Sequence, residues 1–142
     1  MDAMQISRTG LDVEWQRLQV IAQNLANMNS SRTASGDPVR AMRLVSAPKV
    51  KFADLIAANS SASGPKGVEV IGLEAMPGGV RRVYEPGDPQ ADAEGFVSYP
   101  NIDHAGEMTL LIKTSRAYEA NLTAMNIAHQ MYSRALELGQ RS

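Results

Sequence analysis

The sequence predicts a mainly α protein with a small β insert, an α+β fold of elongated shape. Prolines are absent before residue 38 and after residue 100, and apolar residues recur at helical spacing in both of these ends. All seven prolines fall in the middle. Because proline breaks helices, the long helices belong at the ends. We expect an N-terminal helix over 2–29, a proline- and glycine-rich middle over 30–102, and a C-terminal helix over 103–139.

The N-terminal region carries the pattern of an amphipathic helix. Met4, Leu11, Leu18 and Leu25 are each seven residues apart, so they follow one line of a slightly under-wound helix and favour a partner helix over a sheet. Gly10 weakens this helix by about 1 kcal/mol relative to alanine. We expect subunit packing through an N-terminal seam, whose members are Met4, Leu11, Trp15, Leu18, Ile21, Leu25 and Met28.

The C-terminal region shows a longer pattern, with steps that alternate between three and four residues. This heptad pattern is sustained over about four repeats, the length at which a coiled coil becomes a reasonable interpretation. Asp103 is placed to cap the helix and Gly139 to end it. The C-terminal seam consists of Met108, Leu111, Ser115, Tyr118, Leu122, Met125, His129, Tyr132 and Leu136. We expect subunit contacts from Leu111, Tyr118, Leu122, Met125, Tyr132 and Leu136.

Two helices of this length would reach roughly 40 Å and 50 Å. We therefore expect them to pack as a coiled-coil-like pair and to leave part of each seam for neighbouring subunits. Between them, residues 68–71 and 80–84 have the composition of short strands, and Pro77-Gly78-Gly79 predicts a hairpin turn joining the two. Residues 39–51 are expected to be extended, residues 52–56 to form a turn of helix, and residues 59–65 to be a linker.

Charge and cysteine content exclude several classes of partner. The formal net charge is −1, with 14 basic and 15 acidic residues, so we expect neither nucleic-acid binding nor attraction to an anionic membrane. The chain has no cysteine, which excludes disulfides and thiolate metal sites. The N-terminus lacks the features of a cleaved secretory signal, and no apolar run approaches 18 residues, so we expect no membrane insertion.

Enzymatic and metal chemistry are not indicated. The chain lacks a nucleophile elbow and a glycine-rich phosphate loop, and we expect no catalytic residue, cofactor or small-molecule substrate. Asp88, Asp92 and Glu94 lack the spacing of a calcium loop, so a solvated turn is favoured over a metal site. His104 and His129 do not pair at zinc-ligand spacing. His129 is expected to be partly buried on the seam or to contact another subunit.

Three segments carry a resemblance to a known family. The first, Asn24-Leu25-Ala26-Asn27-Met28-Asn29, lies at the end of the N-terminal helix, where asparagine favours a helix end over ligand binding. The second spans residues 83–101 and the third residues 115–122. Together with residues 1–7 they resemble the axial proteins of the bacterial flagellum, the rod and hook family built on paired terminal helices. The likeness runs from end to end and weakens only over about 48–66.

The second segment resembles the passage before the C-terminal helix of a proximal rod member of that family. The resemblance implies a structural subunit of the proximal rod that transmits torque, located in the periplasm and exported by the flagellar type III apparatus without a cleaved signal. It implies as partners other rod proteins, copies of this chain, the export apparatus and inner-membrane ring components. Two alternatives remain: a coiled-coil adaptor or secreted effector, and an enzyme with an unrecognised site in the middle.

Overall fold

The computed structural model describes residues 3–49 and 66–140. Helix α1 spans Ala3–Asn27, followed by strands β1 (Met42–Pro48), β2 (Val68–Ala75), β3 (Val80–Tyr84) and β4 (Phe96–Pro100), and helix α2 spans His104–Gly139. The prediction of two terminal helices around a small β region is confirmed. The helical turn expected at 52–56 and the linker at 59–65 lie outside the described residues.

Helix α1 forms where the sequence has no proline, and it ends at the asparagine-rich segment. The amide of Ser30 donates to the carbonyl of Asn27 at 2.9 Å, which turns the chain out of the helix. Its buried residues are Val13, Val20, Ile21 and Asn24. They recur at steps of seven, one and three, so one face of α1 forms much of the thin core of this chain.

The caps of helix α2 differ from the expectation. Asp103 is the N-cap residue, but its side chain makes no capping hydrogen bond, and the first turn is closed by the backbone bond from Glu107 N to Asp103 O at 2.9 Å. Gly139 is the last helical residue and does not adopt a positive φ. The helix is capped instead by Gln140, whose amide donates to the carbonyls of Leu136 and Leu138.

The predicted hairpin between residues 68–71 and 80–84 is wrong in its pairing. Both segments are strands, but β2 pairs antiparallel with β1, and β3 pairs antiparallel with β4, in two separate two-stranded sheets. Gly78 and Gly79, at φ 118° and 60°, link the two sheets rather than closing a hairpin. The expectation of an extended chain over 39–51 is confirmed within the described residues by β1.

The β1–β2 sheet lies along α1. The Thr9 hydroxyl accepts a hydrogen bond from Val68 N at 3.1 Å, and Arg17 Nη2 donates to Ser46 Oγ at 3.0 Å. At Gly67, with φ 89°, an added Cβ would overlap the Thr9 hydroxyl. Glycine is therefore required there both for its backbone conformation and for the close approach of β2 to α1.

The two helices pack antiparallel. Gly10 lies against Asn121, so close that a Cβ at Gly10 would be 2.8 Å from Asn121 Oδ1, and the rings of Trp15 and Tyr118 have centroids 6.4 Å apart. This register places the start of α1 beside residue 128 of α2. The last eleven or so residues of α2, about three turns, therefore extend past the beginning of α1 as the structure describes it.

The heptad interpretation of α2 is only partly reproduced, and a coiled-coil pairing is not confirmed. Leu111, Tyr118 and Met125 are half-buried. The intervening inward positions are one residue earlier than predicted, at Glu107, Thr114, Asn121 and Ala128. Of the predicted positions, Met108, Leu122 and His129 are exposed and Ser115 is half-buried. The helices approach closely at Gly10, and such a contact accommodates small and polar side chains better than large apolar ones.

Candidate functional site

The described residues contain three features that bear on function: a polar junction, an uncovered apolar surface on α2, and an ordered acidic loop. Within this part of the chain no group of three or more His, Cys, Asp or Glu residues is placed to hold a metal ion. Neither helix combines the length and the apolar character that a membrane span requires in the described ranges.

The polar junction is formed by Asn24, which is 6% exposed. Its Nδ2 donates to the carbonyl of Met42 at 2.8 Å and to Glu107 Oε2 at 3.2 Å, and its Oδ1 accepts from Met42 N at 3.0 Å. One amide therefore links α1, the edge of β1 and the first turns of α2. A buried amide with all of these partners fixes the relative positions of the three elements.

Beside this junction lies an open groove between α1, β1 and the start of α2, which we call the helix–strand groove. Glu107 lines it, is 3% exposed, and accepts one hydrogen bond among the described residues, from Asn24. Arg17 lines it too, and its Nε is buried without a hydrogen-bond partner in the described part of the chain. Apolar lining comes from Val20, Ile21 and Leu110.

The predicted packing residues fall into three groups. Ile21 is 5% exposed and belongs to the core of this chain. The half-buried residues are Met4, Leu11, Leu18, Leu25, Met28, Leu111, Tyr118 and Met125. The exposed ones, with fractions from 39% to 56%, are Leu122, Leu136, Trp15 and Tyr132. A continuous apolar surface is thus only partly covered by the chain's own fold.

The distal end of α2, residues 127–139, exposes apolar side chains that lie outside the predicted C-terminal seam. Ile127, Met131 and Leu138 are 52%, 67% and 70% exposed. They lie at steps of four and seven, on the opposite side of the helix from the residues that face α1. The signal was present in the sequence as a second helical periodicity, which the stronger heptad pattern obscured.

The motif residues of the first segment have different environments. Asn24 is buried and Leu25 is half-buried, whereas Ala26, Asn27 and Asn29 are exposed. The expectation that the asparagines mark a helix end fits α1, which stops at Asn27. The buried junction made by Asn24 was not predicted, because a sequence does not show which side chain of a helix end will meet a strand and a second helix.

The acidic loop, residues 85–95, connects β3 to β4. Arg82 Nη2 forms ion pairs with Asp92 at 2.5 Å and Glu94 at 3.1 Å, and these carboxylates raise the pKa of Arg82, with Glu94 the larger cause. Asp92 Oδ1 accepts from the amides of Phe96 and Glu94. The bond from Phe96, together with Arg82, lowers the pKa of Asp92. These ion pairs and hydrogen bonds order the loop.

Aromatic contacts and further hydrogen bonds order the same loop. Tyr84 and Phe96 meet edge to face with centroids 5.2 Å apart, and Arg82 lies 4.6 Å above the Phe96 ring. The Tyr99 hydroxyl donates to Glu85 Oε2 at 2.8 Å, which raises the pKa of Tyr99. Ser31, just after α1, donates to Gln90 in the loop. The loop is thereby joined to the end of α1.

The two histidines lie apart. His104 is the first residue of α2, and His129 lies near the start of the distal end of that helix. Both are exposed, so His129 is not partly buried within this chain. Its expected contact with another subunit stays a prediction.

Comparison with known proteins gives a consistent result along the whole chain. Residues 93–138 match the family described as flagellar basal body rod FlgEFG protein C-terminal. The chain is 37% identical over 140 residues to a protein of Escherichia coli named flagellar basal-body rod protein FlgC, covering 99% of this chain and 98% of that protein.

Two distant bacteria contain similar proteins of the same name. The Bacillus subtilis protein is 35% identical over 145 residues, covering 97% of each chain. The Borreliella burgdorferi protein is 33% identical over 153 residues, covering 97% of this chain and 96% of the relative. The match therefore includes both terminal helices and the two sheets between them.

Proposed function

The chain belongs to the family of flagellar basal-body rod proteins named FlgC, and from that premise we propose that it is a structural subunit of the proximal rod. This family is structural and not enzymatic, in agreement with the absence of a catalytic motif from the sequence. Family membership is therefore favoured over the two alternatives from the sequence, a coiled-coil adaptor or secreted effector and an enzyme with an unrecognised site. The role in a flagellar rod, an assembly of subunits, requires contacts with other rod components.

The observation that carries the proposal is the apolar surface that the chain leaves uncovered on its long helices. Leu122, Tyr132 and Leu136 are 39%, 56% and 51% exposed on α2, and Trp15 is 55% exposed on α1. Apolar surface of this extent is typical of residues that become buried in an assembly. Burial of large apolar side chains between subunits stabilises such contacts, by about 25 cal/mol per Å² buried.

We infer a mechanical role from the same arrangement. Torque along a tubular rod acts as shear between subunits, and many helix contacts in parallel resist it even when each contact is of modest strength. The polar junction at Asn24 and the ordered acidic loop support this role, because they fix the β sheets to the helix pair. The chain needs no cofactor for it.

The location and route belong to the same proposal. We propose a periplasmic rod position, reached through the flagellar type III export apparatus without a cleaved signal. The proposed partners are copies of this chain, other rod proteins, the export apparatus and inner-membrane ring components. The narrow likeness of residues 83–101 to a proximal rod member, and the end-to-end match to FlgC proteins, support these assignments.

Deletion of this chain in its parent bacterium tests the proposal. Basal bodies would be isolated and viewed by electron microscopy, and swimming would be measured, with the deletion complemented by the unaltered chain as the control. We expect non-swimming cells whose rods are missing or arrested near the inner membrane, and recovery on complementation. Intact rods and normal swimming in the deletion strain would contradict a rod function.

A further inference from the structure

The helix–strand groove is lined by a buried carboxylate, that of Glu107, and by a buried guanidinium nitrogen, Arg17 Nε. The Glu107 carboxylate is almost fully buried yet accepts one hydrogen bond among the described residues, a neutral one from Asn24. A buried carboxylate with so little compensation is costly, and a cation placed against it would lower that cost. At the other end of the groove, Arg17 Nε is buried without an acceptor among residues 3–49 and 66–140.

The distal end of α2 carries a cation and helix-end carbonyl groups, which complement the carboxylate and the guanidinium nitrogen of the groove. Arg134 lies on the same side of the helix as the exposed residues Ile127, Met131 and Leu138, at steps that alternate between three and four. It is exposed and forms no ion pair within residues 3–49 and 66–140. The carboxyl-terminal turn follows at once, and the last carbonyls of a helix accept hydrogen bonds from arginine and lysine.

These two surfaces cannot meet within one chain. Glu107 and Arg134 lie on one continuous helix, 27 residues apart, which is roughly 40 Å at the rise of an α-helix. A cation from the distal end can therefore reach the carboxylate of Glu107 only in a different copy. The observed complementarity points to an intermolecular contact.

The spacing of Glu107 and Arg17 in the groove also matches the spacing of Arg134 and the last carbonyls at the distal end of α2. Along α1, Arg17 lies seven residues from Asn24, the partner of Glu107, a separation of about 10 Å. From Arg134 to Gln140, the C-cap of α2, the helix advances about 9 Å. With Arg134 against Glu107, the last carbonyls of the docked helix therefore lie near Arg17, and Leu138 lies near Leu110.

We propose that the helix–strand groove of one copy receives the distal end of α2 from a second copy, with Arg134 paired to Glu107. This inference rests on the proposed function and names the two surfaces through which copies of the chain associate. Because the two surfaces differ, the contact is head to tail and repeats from copy to copy instead of closing a symmetric dimer. The apolar side chains around Arg134 pack on Val20, Ile21 and Leu110.

Disulfide trapping in assembled basal bodies tests this contact, and the absence of native cysteine makes the test clean. A chain with Leu110→Cys and Leu138→Cys would replace the unaltered chain in the deletion strain, and isolated basal bodies would be oxidised mildly. Positions 110 and 138 are about 42 Å apart on one helix, so a disulfide between them joins two copies. The matched control carries Leu110→Cys and Glu137→Cys, one position earlier and about 100° around the helix.

We expect a chain dimer that forms several-fold more with cysteine at 138 than at 137, and that is lost when Arg134→Glu is added but kept with Arg134→Lys. Equal yields at 137 and 138, no dimer from basal bodies that assemble, or a product with a different rod protein would overturn the proposal. These results leave the rod function untouched, because that function fails only if the deletion strain builds intact rods.

Swimming of charge-reversal variants gives a second readout that does not depend on cysteine. Arg134→Glu changes an exposed residue and should reduce swimming without unfolding the chain. Arg134→Lys, which keeps the positive charge, should swim normally if this cation pairs with Glu107 between copies. Normal swimming of the Arg134→Glu variant would overturn the proposed contact.

Discussion

Asn24 and Glu107 are 83 residues apart in the sequence, and the Nδ2 of the first lies 3.2 Å from Oε2 of the second in the interior of the protein. The same amide also bonds both backbone groups of Met42. A single side chain thus holds the end of α1, the edge of β1 and the beginning of α2 in register. Asn24 is therefore the residue at which the three elements depend on each other most directly.

Replacing Asn24 by alanine should destabilise the protein by about 2–4 kcal/mol, because it leaves the Met42 backbone groups and the Glu107 carboxylate without their partner. Chemical denaturation of the purified chain measures the change. Asn27→Ala is the matched control, since Asn27 belongs to the same motif but is exposed. Equal stability of the two variants would show that the junction contributes little.

Gly67→Ala should destabilise the chain more than Gly36→Ala by about 1–3 kcal/mol. Both glycines have φ 89°, so alanine at either position carries a similar backbone cost of roughly 1–2 kcal/mol. At Gly67 the added methyl would also overlap the Thr9 hydroxyl, whereas at Gly36 no atom of the described residues lies within 4 Å of it. Thermal and urea unfolding give the stability of the two variants. Equal losses of stability would mean that β2 can move away from α1 to accommodate the methyl group.

The acidic loop should lose order in acid through Asp92. The hydrogen bond from Phe96 and the pairing with Arg82 lower the pKa of Asp92 below its ordinary value of 3.8. A lowered pKa in the folded state means that this contribution to stability is fully present above pH 3.8 and is lost as pH falls through the lower, folded value.

Amide chemical shifts of Gly95 and Phe96, followed by NMR between pH 6 and pH 2, report on this transition. Asp92→Asn should remove the acid transition, since the amide does not titrate in this range. In Glu94→Gln, which leaves both backbone bonds to Asp92 in place, the transition should persist. An acid transition that survives in Asp92→Asn would assign it to another group.

Leu122→Asp and Leu18→Asp should each block incorporation into rods more than they reduce the solubility of the chain. Each places a charge on the apolar surface of the helix pair, where burial in the assembly would be costly. Ala124→Asp is the control, because Ala124 is an exposed small residue of the same helix. Rod assembly is measured by electron microscopy and swimming in the complemented deletion strain, and normal incorporation of Leu122→Asp would contradict the assignment.

Periodicity predicted the helices well because long amphipathic segments without proline have few alternatives. It predicted two strand segments correctly but paired them with each other, because Pro77-Gly78-Gly79 has the composition of a hairpin turn. Their real partners, Met42–Pro48 and Phe96–Pro100, each end in proline and lack a clear alternation. Pairing between strands distant in sequence depends on contacts that local composition does not encode.

The candidate site was predicted in outline and not in detail. Apolar residues with heptad spacing indicated helix packing, but the close approach at Gly10 shifted the inward positions of α2 by one residue. Glu107 illustrates the limit best. A charged residue in a helix is almost always solvated, so its burial against Asn24 could be found only from the packing of three elements.

The antiparallel pairing of the two terminal helices also has a kinetic consequence. The partner of the first helix is the second helix up to about residue 128, so a nascent polypeptide lacks that partner until most of the chain has been synthesised. Contacts of such high sequence separation form late and slowly compared with local ones. A subunit with this connectivity completes its core only after the second helix is available to pack on the first.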